Sequence, residues 1–169
     1  SMEVKNKENV SAVTALPEEV VDGLIKKGLK ISAAESCTGG LFVKLITDIP
    51  GTSAVIDESY ITYSNGAKSR ILGVCEETLE AYGAVSAETA YEMAAGVKNI
   101  TGADLGVGIT GVAGPAASER KPVGLVYFGI SYKENVSVFK LSLKGDREQI
   151  RFQTCMNVFD EIKNIINKI

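Results

Sequence analysis

The chain contains no histidine at all. That absence removes the Ser-His-Asp triad, the Cys-His dyad and every histidine-based metal site, so any general base is a lysine, a carboxylate, a tyrosinate or water. Cysteine is scarce: Cys37, Cys75 and Cys155 are an odd count, lie far apart and lack C-x-x-C spacing, which indicates neither a disulfide framework nor a zinc site. A reducing, cytoplasmic setting is expected. Positive charge is in short supply as well. With a net charge of −3 the chain has no general basic surface to displace phosphate counterions, which excludes nucleic acid as the expected partner. No apolar run approaches the roughly 18 residues of a membrane span, and the polar opening SMEVKNKEN has no signal-peptide core, so no membrane partner is expected.

What is present suits one compact domain: 169 residues, 45% of them hydrophobic, are enough for a proper core. Residues 1–14 read as an N-terminal tail and 15–169 as the domain. Strand and helix patterns alternate along it, which predicts an α/β fold: a single three-layer α/β/α domain around a mixed, mostly parallel sheet. LPEEVVDGLIKKG places Leu16, Val20, Val21, Leu24 and Ile25 on one helical face, with Pro17 in the first turn and Gly28 to stop it. LKISAAE is a short strand, GGLFVKLITDIPG a helix, and SAVIDESYITYS an extended stretch leading into NGAKSRILGV. Ser86 caps a helix whose buried side is Ala90, Met93, Ala94 and Val97. DLGVGIT is a buried strand, GLVYFGISY and NVSVFKLSL form a hairpin across Lys133-Glu134, and a D-x-x-Q cap from Asp146 to Gln149 opens a last helix with Ile150, Met156, Phe159, Ile162 and Ile166 inward.

Three stretches carry the chemistry. In ISAAESCTGGLF, Ser36 sits where a strand ends and a helix begins, and the amides of Thr38, Gly39 and Gly40 belong to the positive end of that helix. Two readings stand side by side: Ser36 and Thr38 cap the helix, or the corner receives an oxyanion. SYITYSNGAK gathers Tyr60, Tyr63, Ser64, Asn65 and Lys68. A lysine serves a serine as base only when burial or a nearby cation lowers its pKa; otherwise Lys68 is a solvated surface residue. There is no S-x-x-K helix, so a Ser36–Lys68 pair requires tertiary contact. LGVGITGVAGP formally contains G-x-G-x-x-G, but its first two glycines lie inside the strand, Pro115 interrupts the loop and no acid stands at position 131. That speaks against a dinucleotide fingerprint, and leaves either an ordinary tight turn or a loop whose amides face an anion.

Taken together, AAESCTGG, YSNGAK, TGVAGP before KPVG, and GDREQIR, in this order, resemble the CinA C-terminal-domain family, with the likeness running from about residue 15 to residue 168. The enzymatic members of that family are nicotinamide-nucleotide amidases. Larger members join this domain to a molybdopterin-binding-like domain, and the chain resembles the stand-alone form. The resemblance implies deamidation of nicotinamide mononucleotide to nicotinic acid mononucleotide and ammonia, with Ser36 as nucleophile, Lys68 as its base, and Tyr63 and Thr110 beside the dyad. Glu35, Thr38, Gly39, Gly40, Gly111, Gly114 and Arg147 are the implied substrate-binding positions. No metal and no cofactor are implied. The partner is a small-molecule nucleotide, and a homodimer stays open.

One departure stands out. Where the family's loop continues from its TGIAGP-type motif into a glycine-rich run, this chain reads Ala116-Ala117-Ser118-Glu119-Arg120, which is stiffer. Arg120 and Lys121 either face the substrate's phosphate or stand solvated. Two other functions fit the same residues: a nucleotide-binding sensor module without turnover, and a Ser-Lys hydrolase of another amide or ester.

Overall fold

The computed structural model describes residues 2–13 and 15–169. Its centre is a six-stranded sheet in the order β1-β6-β5-β4-β2-β3. The strands are β1 (Val4–Asn6), β2 (Ile31–Glu35), β3 (Tyr60–Ile61), β4 (Leu105–Gly111), β5 (Leu125–Tyr132) and β6 (Asn135–Ser142). Pairings β1·β6, β2·β4 and β2·β3 are parallel, whereas β4·β5 and β5·β6 are antiparallel. The sheet is mixed, as the alternation of elements predicts.

Among the described residues six α-helices cover both faces: α1 (Pro17–Lys27), α2 (Leu41–Thr47), α3 (Asn65–Leu72), α4 (Glu76–Tyr82), α5 (Ala87–Thr101) and α6 (Arg147–Asn167). On one face α1, α2 and α6 bury Val20, Leu24, Phe42, Ile46, Phe159 and Ile162 against the central strands. Phe42 stacks on Phe159 at 4.7 Å, a contact contributing about 0.5–1.5 kcal/mol beyond its area. On the other face α5 lies across β4 and β5, with α3 and α4 packed beside it. Burial on both faces explains why β2 and β4 read as near-continuous apolar runs rather than alternating ones.

The glycines of the false dinucleotide fingerprint have a packing cause. A Cβ on Gly106 would stand 2.4 Å from the Ala94 carbonyl oxygen, and one on Gly108 would stand 2.6 Å from the Ala94 nitrogen. The backbone of α5 therefore rests directly on β4, a separation only glycine permits.

The capping signals hold: Gly28 ends α1 in the left-handed conformation, Ser86 accepts from the Thr89 amide, and Asp146 with Gln149 forms a full capping box at α6. Several boundaries differ from expectation. Residues 1–14 are not merely a tail, because Val4–Asn6 pairs in parallel with Val138–Lys140 at the edge of the sheet. The stretch expected to be extended from Ser53 forms a 3₁₀ turn at Thr52–Ala54 and only two strand residues; opposite Ser32 and Ala33 side chains replace the ladder, the Ser32 hydroxyl donating to the Glu58 carbonyl and the Ser59 hydroxyl accepting from the Ala33 amide. Helices α3 and α4 are short and weakly amphipathic, so their pattern did not announce them. Leu16 and Ile25 of the expected α1 face are exposed, while Val20, Val21 and Leu24 carry the burial.

Candidate active site

Strands β3, β2 and β4 lie side by side and parallel, so their carboxyl ends open on one edge of the sheet. Ligands of open α/β sheets bind outside such ends. Ser36 leaves β2 there, held by a hydrogen bond from its amide to the Ile109 carbonyl at 3.0 Å. Thr110 ends β4 alongside, and the segment Thr62–Ser64 leaves β3 to enter α3. Ser64 caps α3 by accepting from the Ala67 amide, which sets Lys68 in the helix's first full turn, aimed inward.

Lys68 reaches Ser36 although 32 positions separate them: its Nζ donates to Ser36 Oγ at 3.0 Å, to the Thr62 carbonyl at 2.9 Å and to the Tyr63 carbonyl at 3.2 Å. The lysine is 1% exposed and no carboxylate touches it. Burial pushes its pKa below the ordinary 10.5; the Glu119 charge pulls the other way, as a Cys37 thiolate would. The Cys37 thiol is itself pushed up to about 12, first by burial and then by Glu35, so at neutral pH it carries no charge and cannot oppose the shift. The amino end of α3 disfavours a cation in the same sense. Two carbonyls take two N–H groups; in the neutral amine the remaining position is a lone pair directed at the Ser36 hydroxyl.

Cys37 packs against the hydrophobic core, is 7% exposed and also borders the cleft. Thr110 is buried and its hydroxyl donates to the Ala84 carbonyl at 2.7 Å. Tyr63 stands 61% exposed at the rim, where the Arg147 guanidinium donates to its hydroxyl at 3.2 Å and to the Gly114 carbonyl at 2.5 Å. The cleft these groups enclose measures about 290 Å³, which lies near the lower end for small-molecule sites. A larger hollow of about 800 Å³ beside β1 and β6 is lined by Glu3, Glu88, Glu92 and Glu134 and by no serine-lysine contact.

The structure brings Ser36, Lys68, Tyr63, Thr110, Gly111, Gly114 and Arg147 together around that cleft. It does not bring Glu35, Thr38, Gly39 and Gly40 into its lining. Glu35 is fully buried and accepts from the amides of Gly40 at 3.2 Å, Phe42 at 3.0 Å and Val43 at 3.1 Å. A carboxylate built into the chain already occupies the positive end of α2, so the expectation that Gly40 presents its amide to an oxyanion fails for a simple electrostatic reason. Thr38 is wholly buried, and its carbonyl accepts from Arg151 at 2.9 Å. Lys121 neither faces the cleft nor stands solvated; it donates to the carbonyls of Tyr82, at 2.7 Å, and Val85. Ala84, Val85 and Glu119 line the cleft without having been anticipated. Their local signal is only a glycine turn and one acid in a charged loop.

Fold and site define a class: a three-layer α/β protein with a serine at the carboxyl edge of its parallel strands and a buried lysine on that serine's oxygen. The family model described as the CinA C-terminal domain matches residues 13–166, and the chain belongs to that family. It is 50% identical over 154 residues to a protein of Caldicellulosiruptor saccharolyticus named as competence-damage inducible, covering 90% of this chain and 38% of that one. It is 48% identical over 153 residues to a CinA-like protein of Kosmotoga olearia, covering 90% of this chain and 37% of that one. The chain thus spans under two fifths of the length of these relatives. Among solved structures, a CinA superfamily protein of Klebsiella pneumoniae superposes with a TM-score of 0.87 at 29% identity, over 96% of this chain and 100% of that one. The competence/damage inducible protein CihA of Agrobacterium tumefaciens superposes with a TM-score of 0.84 at 36% identity, over 98% and 99%. Among the described residues no helix is long and apolar enough to cross a membrane.

Proposed function

We propose that this chain is an amidohydrolase that deamidates nicotinamide mononucleotide to nicotinic acid mononucleotide and ammonia through a Ser36–Lys68 dyad. The observation that carries the reading is the 3.0 Å contact between Lys68 Nζ and Ser36 Oγ, made by a lysine that is buried and has no carboxylate partner. Neutral Lys68 takes the Ser36 hydroxyl proton as Oγ bonds to the carboxamide carbon, and the carbonyl electron pair moves onto oxygen. The Cys37 amide, on the residue after the nucleophile, is the donor we assign to that oxyanion. Lys68 then returns the proton to the carboxamide nitrogen as the C–N bond breaks, and ammonia leaves an ester on Ser36. Water repeats the sequence: Lys68 takes its proton, the ester oxygen recovers one, and the nicotinate carboxylate departs.

Arg147 stands on the rim beside Gly114 and is the residue we assign to the phosphate end of the nucleotide. The test is ammonia release from nicotinamide mononucleotide by the purified chain, with Ser36→Ala as control. Ammonia from the native chain alone supports the reading. No release from the nucleotide, with release from an unrelated amide, overturns the substrate and leaves the dyad.

A further inference from the structure

The loop between α4 and α5 is irregular, yet almost all its backbone polar groups are taken. The Gly83 carbonyl accepts from the hydroxyls of Ser86 at 2.9 Å and Thr89 at 2.7 Å. The amides of Ala84 and Val85 donate to the Glu119 carboxylate at 2.9 and 3.1 Å. Lys121 donates to the carbonyls of Tyr82 and Val85 and lies 3.3 Å from Glu119. The Ala84 carbonyl accepts the Thr110 hydroxyl. Gly83 makes room for this crossing: it has φ +81°, and a Cβ there would stand 2.6 Å from Glu119 Oε1 and 3.1 Å from Lys121 Nζ. Glu119 and Lys121 come from a tight turn of the 116–121 loop, closed by backbone hydrogen bonds between Ser118 and Lys121. A buckle of two opposite charges therefore fastens that loop to the 82–85 loop, and Ala84, Val85, Ser118 and Glu119 form one wall of the cleft.

We propose that Glu119, braced by Lys121 over Gly83, is a positioning residue of the active site: it fixes the 82–85 loop so that the Ala84 carbonyl holds the Thr110 hydroxyl in place beside Ser36 and Lys68. The inference rests on the amidase reading for its natural substrate but not for its geometry. A solvated loop of small residues would let the wall drift, and a displacement of about 1 Å at a reacting centre can cost on the order of 10²-fold in rate. The buckle supplies by charge-assisted hydrogen bonds the order that the loop's own sequence lacks.

The test is a double-mutant cycle of Glu119→Ala and Thr110→Val, read as kcat and KM for ammonia release from nicotinamide mononucleotide. In parallel, the rate at which a fluorophosphonate labels Ser36 is measured; the Oγ–P bond forms as P–F breaks, and fluoride leaves as Lys68 holds the proton. If the native chain releases no ammonia, the substrate reading has failed and the labelling rates alone decide the positioning. Each single variant is expected to lose about 10- to 100-fold in kcat with a smaller change in KM, and the pair to be no worse than Thr110→Val. Glu119→Gln retains an acceptor without the charge and is expected to lose less than Glu119→Ala. The ascending limb of the Glu119→Gln pH profile moves to lower pH, because among the described residues lining the cleft with Lys68 Glu119 is the only acid, the other charged or titratable groups being Cys37, Tyr63 and Arg147. Additive losses, an effect of Glu119→Ala on folding with none on labelling, or native rates in Thr110→Val would overturn the proposal. If Glu119→Ala does not fold, Glu119→Gln decides by its pH profile and its labelling rate: an unmoved limb together with native labelling overturns the proposal.

Discussion

Two lysines, one lining the cleft and one behind its wall, are bound in nearly the same way. Lys68 grips the carbonyls of Thr62 and Tyr63, and Lys121 grips those of Tyr82 and Val85. Their third partners differ. Lys68 meets the neutral hydroxyl of Ser36, whereas Lys121 meets the Glu119 carboxylate. A buried ammonium facing only dipoles is held at a cost that favours losing its proton, whereas a lysine paired with a carboxylate ties two loops together. The difference of one partner separates a candidate base from a strut.

The sharpest way to break this comparison is to remove each side in turn. Ser36→Ala and Lys68→Arg are expected to lose roughly 10⁴-fold or more in ammonia release, since a guanidinium cannot give up its proton at usable pH. Lys121→Met is expected to lose only about tenfold, because it loosens a wall without touching the reacting atoms. Rate assays on the three purified variants check both; a Lys121→Met enzyme as inert as Lys68→Arg would erase the distinction.

The pH dependence sharpens it further. With Lys68 as the proposed base, the rate should rise with pH along one ionisation lying below the ordinary lysine value of 10.5, since only a neutral amine accepts the serine proton. Stability follows the same group. Its folded pKa is depressed, so the stability it carries is fullest above 10.5 and is lost as pH falls toward the depressed value, the unfolded chain binding the proton more readily. Denaturant melts across that window should show this slope in the native chain and a flatter one in Lys68→Met.

At the rim, Arg147→Ala is expected to reduce kcat/KM for the nucleotide about 10- to 100-fold, the scale of one charge-assisted contact, with little change for the riboside. Equal losses on both would remove Arg147 from the phosphate end. The smallest effect belongs to Cys37→Ala. Its thiol is neutral, pushed up to about 12 by burial, so activity should stay within a few-fold of native while stability falls by about 1 kcal/mol for the lost core volume. Steady-state rates and a denaturant melt read the two apart.

Much of this was legible in the chain before any coordinates. Capping residues Ser86 and Asp146 with Gln149 act on amides three residues away, so their signals survive in sequence. The hairpin across Lys133-Glu134 is equally local, with β5 and β6 paired from Leu125–Ser142 to Tyr132–Asn135. The strand of residues 4–6 was missed because three residues carry no period, and their place beside β6 depends on a partner more than 130 positions away. Glu35 is the instructive error at the site. Its neighbours in sequence suggested free amides at a helix start, and nothing local says that the preceding carboxylate folds back onto them.

By itself the sequence determined the alternation of strands and helices, the exclusion of histidine chemistry, and a short set of residues from which a serine and its base had to come. These follow from composition and from periods of a few residues, which local sterics and hydrogen bonding enforce. Only the tertiary structure decided that Lys68 lies on Ser36, that Arg147 crosses to Tyr63 over 84 positions, that Glu35 belongs to α2, and that Lys121 pairs with Glu119. Each of those outcomes is a competition among polar groups for a limited number of buried partners. Such a competition is settled by which strand ends lie side by side in the packed sheet, not by the order in which the groups occur along the chain.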